Sequence, residues 1–367
     1  MKKRRIVLAS VLKPVTDTRM SEKLATSLAK VEGYEVTIIG YPAPSQPAPD
    51  LIQRIPLKTF NRLSIGRLLA SWRVLKNCLK LKPELLIVNT HDLLIVSIVN
   101  RILFGTKIVY DIQENYARNI LHTPAFARPL RPVLAGWVRL KEWLLTPLFH
   151  GVLLAEKCYE NELPFVRSKS VVLENKAVVP ANFNRHPPAD KIRLAFTGTL
   201  AESTGVFQAI SLAQKLNHLN PKIELEIIGY CARQSTLLKI KSAIAGCTFI
   251  KLIGGDQLVP HTQILETIRT ATFGIICYPP APHTHGKMPT KLYEYLACQL
   301  PILLHPEPTW VQLCASANAA LLVDFNNPDL PHLLAQLDMP RYTAQPEKVT
   351  WPDEEARFLD WVSKFLI

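Results

Sequence analysis

No apolar run in this 367-residue chain is long enough to cross a bilayer. The longest, from Leu93 to Gly105, is interrupted by Asn100 and Arg101, whereas a spanning helix needs about 20 apolar residues. The opening KKRRIVLASVLKP starts with a basic cluster, but only the seven residues from Ile6 to Leu12 separate it from Lys13. That is too short for a secretion signal, so Ile6 to Ser10 is read as a first strand. Seven cysteines, an odd number, include no C-x-x-C pair. This excludes a thioredoxin-like motif and zinc-ribbon spacing, and it fits reduced thiols in a cytoplasmic protein. There is no short internal repeat, no low-complexity tract and no set of metal ligands.

What the chain does have is apolar content and an uneven charge. Hydrophobic residues make up 48%, enough for two domains of about 180 residues, each with its own core. Residues 1–187 hold 28 Lys and Arg against 14 Asp and Glu, a net of +14, while residues 188–367 hold 15 against 16. All the excess of the +13 chain therefore sits in the first half, where it attracts anionic partners such as lipid headgroups or polyanionic glycans. Nucleic acid is excluded as a partner, because no zinc-finger spacing, RNP-like aromatic motif or basic tail accompanies the charge.

The order of patterns points to an α/β fold. RIVLAS, EVTIIG, ELLIVNT, TKIVYD, GVLLA and SVVLE alternate with helical or loop stretches, as in a doubly wound parallel sheet. After Asn175 the stretch VVPANFNRHPPAD reads as a linker. The alternation restarts with IRLAFTG, IELEIIG (ending at Gly229), FIKLIG, TFGIICY, PILLH and AALLV. Two Rossmann-like domains follow, 1–187 and 188–350, facing across a cleft. Residues 351–367, TWPDEEARFLDWVSKFLI from Thr350 onward, form a helix with Phe358, Trp361, Val362 and Phe365 on one face. Periodicity does not name that face's partner, which is either the first domain or the second.

The most informative stretch is PTKLYEYLACQLPIL, beginning at Pro289. Pro289 suits a helix start. Leu292, Tyr295 and Leu296 share an apolar stripe, while Thr290 and Glu294 point away from it. Glu294 is thus expected on an exposed face, with Lys291 three residues before it as a helix-surface ion pair in the simplest alternative.

KLYEYLACQLP resembles the K-[LF]-[YF]-E-Y-x-A-x-G-x-P segment of family 4 glycosyltransferases, nucleotide-sugar enzymes of the GT-B fold, and the order of elements agrees along nearly the whole chain. The resemblance implies that Glu294 holds the ribose hydroxyls of a UDP- or GDP-linked sugar donor, and that no further cofactor or metal is needed. It also implies a retaining, cytoplasmic enzyme that makes a surface glycan or glycolipid, with a glycan or lipid-linked acceptor and a last helix that crosses back to the first domain. TGTLAESTG resembles the family's phosphate loop, with Gly198 and Thr199 at its head, and HTHGKMPT runs into the Glu294 helix. Thr199 and Thr204 stand where the loop's arginine and lysine are usual, and Gly286 stands where the first acid of E-x7-E is usual. Lys287 and Lys291 are near enough in sequence to replace the missing cations, and Gly286 allows close backbone approach.

YDIQEN resembles a Y-D-x-H-E subgroup, with Gln113 at the position of the sugar-contacting histidine and Glu114 beside it. Glutamine is no base, but it can hydrogen-bond a sugar. NTHDLL places His91 and Asp92 at a strand's carboxyl end, where ligands bind in open α/β sheets. His91, Asp92 and Glu114 equally suit caps or turns. In KPVTDTRM, which matches a P-x-x-D-x-R variant of the family, Arg19 is placed to meet phosphate or acceptor, and Asp17 alternatively caps a helix. Loss of the usual cations and histidine leaves room for a degenerate protein that binds sugar nucleotides without transferring them. A GT-B sugar-nucleotide epimerase would need further acids that the sequence does not assign.

Finally, the segment from Ala127 to Phe149 mixes Arg128, Arg131, Arg139 and Lys141 with Trp137, Trp143 and leucines. It reads either as a basic helix docking peripherally on the inner face of an anionic membrane or as a core-packed helix with a solvated basic face.

Overall fold

The computed structural model describes residues 3–43, 51–60, 64–123, 126–282, 284–339 and 341–366. The chain divides into two compact units, Met1–Asn175 with Trp351–Ile367 and Lys176–Thr350. Each is α/β and built on a parallel sheet.

The first unit contains strands β1 (Arg4–Pro14), β2 (Tyr34–Tyr41), β3 (Ile52–Pro56), β4 (Leu85–Val88), β5 (Lys107–Ile112), β6 (Gly151–Leu154) and β7 (Ser170–Val172). They lie in the order β3-β2-β1-β4-β5-β6-β7, every pairing parallel. Its helices are α1 (Thr26–Ala29), which continues a π-helical turn over Thr18–Ala25, α2 (Ile65–Leu81), α3 (Leu94–Phe104), α4 (Tyr116–His122), α5 (Arg131–Leu145) and α6 (Tyr159–Glu162). β4 and β6 are buried along their whole length, as strands covered on both faces must be. Val7, Ala9 and Val11 of β1 join Val74 and Cys78 of α2 and Leu94 of α3 in one core. α3 stops at Gly105, whose positive φ of 66° lets its N–H reach Arg101 O at 2.9 Å.

The second unit holds β8 (Ile192–Thr199), β9 (Ile223–Tyr230), β10 (Ile250–Gly255), β11 (Phe273–Ile276), β12 (Ile302–Leu304) and β13 (Ala320–Leu322), in the order β10-β9-β8-β11-β12-β13 and again all parallel. With them are α7 (Val206–Leu219), α8 (Gln234–Ala243), α9 (His261–Thr270), α10 (Thr290–Ala297), α11 (Pro308–Ala315) and α12 (Leu330–Leu337). Separate apolar clusters pack α7 and α10 against opposite sets of strand residues, Leu194 and Phe196 with one, Ala195 with the other. That is the doubly wound arrangement.

The expected boundary between 187 and 188 is displaced to Asn175. Residues 176–187 form no free linker, because they are tied to the second unit. Ala177 pairs with Thr350, the N–H of Ala177 donates to Val349 O at 2.9 Å, and the Arg185 guanidinium donates to the carbonyls of Gln299 (2.8 Å) and Ala271 (2.7 Å).

The last helix, α13 (Pro352–Ser363), belongs to the first unit. Trp351 Nε1 donates to Ser27 Oγ at 2.8 Å, and Lys30 pairs with Glu355 at 2.7 Å. Phe358 and Val362 are fully buried, and Trp361 lies where any side chain at Gly151 would sit, 2.4 Å from its ring. Phe358→Ala is expected to destabilise the protein by about 3–5 kcal/mol through the cavity it leaves. Denaturant unfolding measures this, and an unchanged midpoint would mean that α13 does not help to hold the first unit.

Candidate functional site

Both faces of a parallel sheet are covered by helices, so its carboxyl ends are where ligands can reach the backbone. In the second unit β8 ends at Gly198 and Thr199. Gly198 has φ of +93° and open space where a side chain would be, while a Cβ at Gly229 would lie 1.6 Å from Gly198 O. Glycine at 229 is therefore required for the two backbones to meet, and Gly198 is left bare on its other side. The loop that follows is self-contained. Thr204 Oγ1 accepts from Ala201 N (3.1 Å) and donates to Thr199 O (2.8 Å). At the start of α7, the thiol of Cys277 donates to Gly205 O at 3.0 Å. This brings the end of the loop against the end of β11.

Lys291 lies beside this junction. Its side chain is buried, with Nζ 3.7 Å from the centroid of the Phe196 ring and 5.2 Å from that of Tyr278, and the amine has no hydrogen-bond partner among the described residues. Burial lowers its pKa to about 8, with Cys277 and Glu294 opposing the shift. Cation–π contact offsets only part of the cost of removing an ammonium from water. Burial also raises Cys277 to about 12, so its thiol stays protonated.

Next to Lys291 is a cavity of about 370 Å³, lined by residues that include Tyr278, His285, Gly286, His305, Glu307 and Trp310. Trp310 packs edge-on against Tyr278 at 5.8 Å and donates from Nε1 to Lys287 O at 2.9 Å. Gly286 thus lines the cavity, Lys287 supplies a carbonyl to its wall, and Thr290 opens α10, half-buried. His283, at the head of the same segment, lies outside the described residues.

Glu294 is not on an exposed face. Every residue from Lys291 to Leu296 is buried, and the Glu294 carboxylate lies 3.2 Å from His261 Nε2 at the start of α9. The helical wheel separated Glu294 from the sheet-facing stripe, but it carried no information about α9, which covers the other side. Lys291 and Glu294 are accordingly not a solvated surface pair.

In the first unit the expected residues form two groups. Arg19 is 1% exposed. Its guanidinium donates to Asp111 Oδ1 (Nε 3.0 Å, Nη2 2.8 Å), to Asp111 Oδ2 (3.1 Å) and to Leu173 O (2.7 Å). It is an internal tie and not a group that awaits a phosphate. Gln113 Nε2 donates to the same carboxylate at 2.8 Å, and Glu114 bridges Lys13 (3.2 Å) and Asn119 (3.0 Å). Asp17 caps the turn it precedes, accepting from Met20 N at 2.9 Å.

The second group surrounds His91, whose ring nitrogens stand 3.1 Å from Lys141 Nζ and 3.3 Å from Arg67 Nη2, with Arg67 paired to Asp92 at 2.7 Å. Burial lowers the His91 pKa to about 4, with Asp92 opposing and Lys141 and Arg67 reinforcing the shift. The imidazole is therefore neutral at physiological pH.

Sequence reasoning missed Tyr278, His305, Trp310 and His261. Tyr278 lies two residues past β11 and His305 directly follows β12, both at carboxyl ends, and that placement was the signal available for them. Trp310 and His261 are brought in by helix packing, which leaves no local mark.

No family model and no curated protein sequence matches the chain. Solved structures do. Sucrose-phosphate synthase from Thermosynechococcus elongatus aligns with a TM-score of 0.67 at 14% identity, covering 99% of this chain and 97% of that one. WaaG, a glycosyltransferase involved in lipopolysaccharide biosynthesis, aligns with a TM-score of 0.65 at 13% identity, covering 97% and 95%. Anabaena HepE in complex with UDP-glucose aligns with a TM-score of 0.61 at 12% identity, covering 98% and 99%. The fold is GT-B.

Arg19→Ala would strand the buried Asp111 carboxylate and is expected to cost about 3–5 kcal/mol. Chemical denaturation of the variant reads this directly. Wild-type stability combined with weaker ligand binding would return Arg19 to a binding role.

Proposed function

We propose that the chain is a retaining glycosyltransferase resembling family 4, which moves a sugar from a UDP- or GDP-linked donor to a glycan or lipid-linked acceptor in surface polysaccharide or glycolipid synthesis. The observation that carries this reading is the buried amine of Lys291, which has no hydrogen-bond partner among the described residues, held against Phe196 and Tyr278 in the unit that also carries the bare backbone of Gly198 and the cavity at Gly286. A departing diphosphate needs positive charge more than covalent chemistry. In this reading Lys291 supplies the charge that Thr199 and Thr204 do not, while the backbone at Gly198, Thr199 and Gly286 approaches the phosphates closely. Glu294, whose carboxylate lies 3.2 Å from His261 Nε2, takes the ribose hydroxyls. Support for a uridine nucleotide comes from HepE, solved with UDP-glucose on the same fold.

Gln113 is assigned to the donor sugar, which its amide can hydrogen-bond, and Glu114 and His91 are the further catalytic candidates. Glutamine takes no proton, burial makes His91 hard to protonate, and Glu114 is engaged by Lys13 and Asn119, so in this reading the acceptor's proton leaves on the departing diphosphate. The tied Thr204 hydroxyl and the Gln113 amide held on Asp111 favour one second reading, a protein that binds sugar nucleotides without transferring them. Product analysis with candidate UDP- and GDP-sugars separates the two.

The Lys291 amine has opposite effects on stability and binding. Its folded pKa lies below that of a free lysine, so below about pH 8 the folded state bears the full cost of a buried charge. That cost is relieved as pH rises from about 8 towards 10.5. Lys291→Met is therefore expected to stabilise the free protein at pH 7 by roughly 3 kcal/mol while weakening nucleoside diphosphate binding. Calorimetric titration with UDP and GDP should show wild-type affinity falling as pH rises through about 8, and a flat profile in the variant. Parallel profiles would remove Lys291 from the site.

Glu294→Ala should weaken the same binding by about 1.5–3 kcal/mol. Equal affinity in the variant and wild type would dispose of the ribose role.

A further inference from the structure

Among the described residues, all but four of the large apolar side chains left exposed lie in the first unit, and they concentrate on one helix layer. α3 packs against both α2 and α5, and this layer covers the sheet face presented by Val7, Ala9 and Val11. Outward from α5 point Val133, Trp137, Leu140, Trp143 and Leu144, each 45–70% exposed. A surface helix ordinarily shows charge on that side, and this one shows little. Its charged residues are engaged elsewhere, with Arg131 on Phe126 O, Arg139 on Glu142 and Asn115, and Lys141 on His91 and over the Trp137 ring. The solvated basic face expected for this segment is thus replaced by an apolar one.

The neighbouring helices continue it. Ile65, Leu68 and Trp72 stand out from α2 at 63–76% exposure, and Ile95 and Ile102 from α3 at 55% and 77%. Cations frame the apolar surface. The α2 stripe runs on from Trp72 into exposed Lys76 and Lys80, Arg128 is exposed just before α5, and exposed Lys82 and Lys107 flank α3. The three helices carry a single acid, Glu142, and it is buried.

We propose that the outer face of α2, α3 and α5 seats in the interfacial region of an anionic lipid bilayer. Tryptophans on an apolar face suit the headgroup boundary, and the framing lysines suit its negative potential. No helix among the described residues is long and apolar enough to cross a membrane, so the contact lies on the surface. A second copy of the same face would bring like cations together across a self-complementary interface, which argues against a dimer. The inference does not depend on the transferase reading, although an acceptor anchored in lipid would be presented at the same surface.

The full chain, mixed with vesicles of equal phosphatidylglycerol and phosphatidylcholine, is expected to sediment with them at low salt and to shift its tryptophan emission to the blue. Phosphatidylcholine alone should bind little, and salt should weaken the anionic contact. The triple variant Trp137→Ser, Leu140→Glu, Leu144→Glu, at sites already exposed, should bind at least about tenfold more weakly with an unchanged melting curve and unchanged UDP and GDP affinity. The proposal is overturned by a wild type that ignores anionic vesicles at low salt, or by a folded variant that binds them equally well. A wild-type dimer that the variant dissociates, with neither binding lipid, would assign the face to a second copy instead.

Discussion

Every strand in both sheets runs parallel to its neighbours, and most of what is distinctive in the protein follows from that. A parallel sheet needs helices on both faces, so side chains along β4, β6, β11 and β12 are committed to cores. Polar chemistry is driven to the carboxyl ends. There lie Gly198, Gly286 and Lys291 in one unit, and in the other the separate groups around Asp111 with Gln113 and around His91. The same constraint decides how odd the α2, α3 and α5 layer is. Its inner side meets the sheet as required, so the apolar residues on its outer side have no role in that core.

Within the second unit the decisive local fact is electrostatic. An ammonium held against the rings of Phe196 and Tyr278 with no hydrogen-bond acceptor among the described residues costs folding free energy. A methionine of similar length would pack there without that cost. Retaining the amine makes physical sense when an anion arrives to use it, much as strained or destabilised groups collect at working sites. Cys277, pushed up to about 12 by burial, contributes packing and a hydrogen bond to Gly205 and stays neutral beside it.

The α/β class and the doubly wound order were legible because short β-branched runs and helical periods alternate twice along the chain. The helix over 352–363 was legible from its period, while its place on the first unit is a matter of tertiary contact, through Ser27, Lys30 and Gly151. Side-chain environments were harder to read for the same reason. Glu294 lies off the sheet-facing stripe of α10, yet α9 closes over it. Arg19 lies in a stretch whose sequence reads as a solvent-facing loop, yet the chain there forms a helical turn and Asp111, 92 residues away, takes its guanidinium. Arg139 and Lys141 look like a basic face until Glu142, Asn115 and His91 turn them inward. In each case the partner is distant in sequence or on another helix, and periodicity describes only one element at a time.

The most direct measurement is the melting temperature of the full chain in the presence of UDP, GDP and ADP and their sugars, because a ligand bound only by the folded state raises it by mass action. Saturating UDP or GDP should raise it, with a smaller rise for Glu294→Ala and for Lys291→Met when each is compared with its own free form. A melting temperature unmoved by any nucleoside diphosphate or nucleotide sugar would contradict the nucleotide site on which the proposed transferase rests.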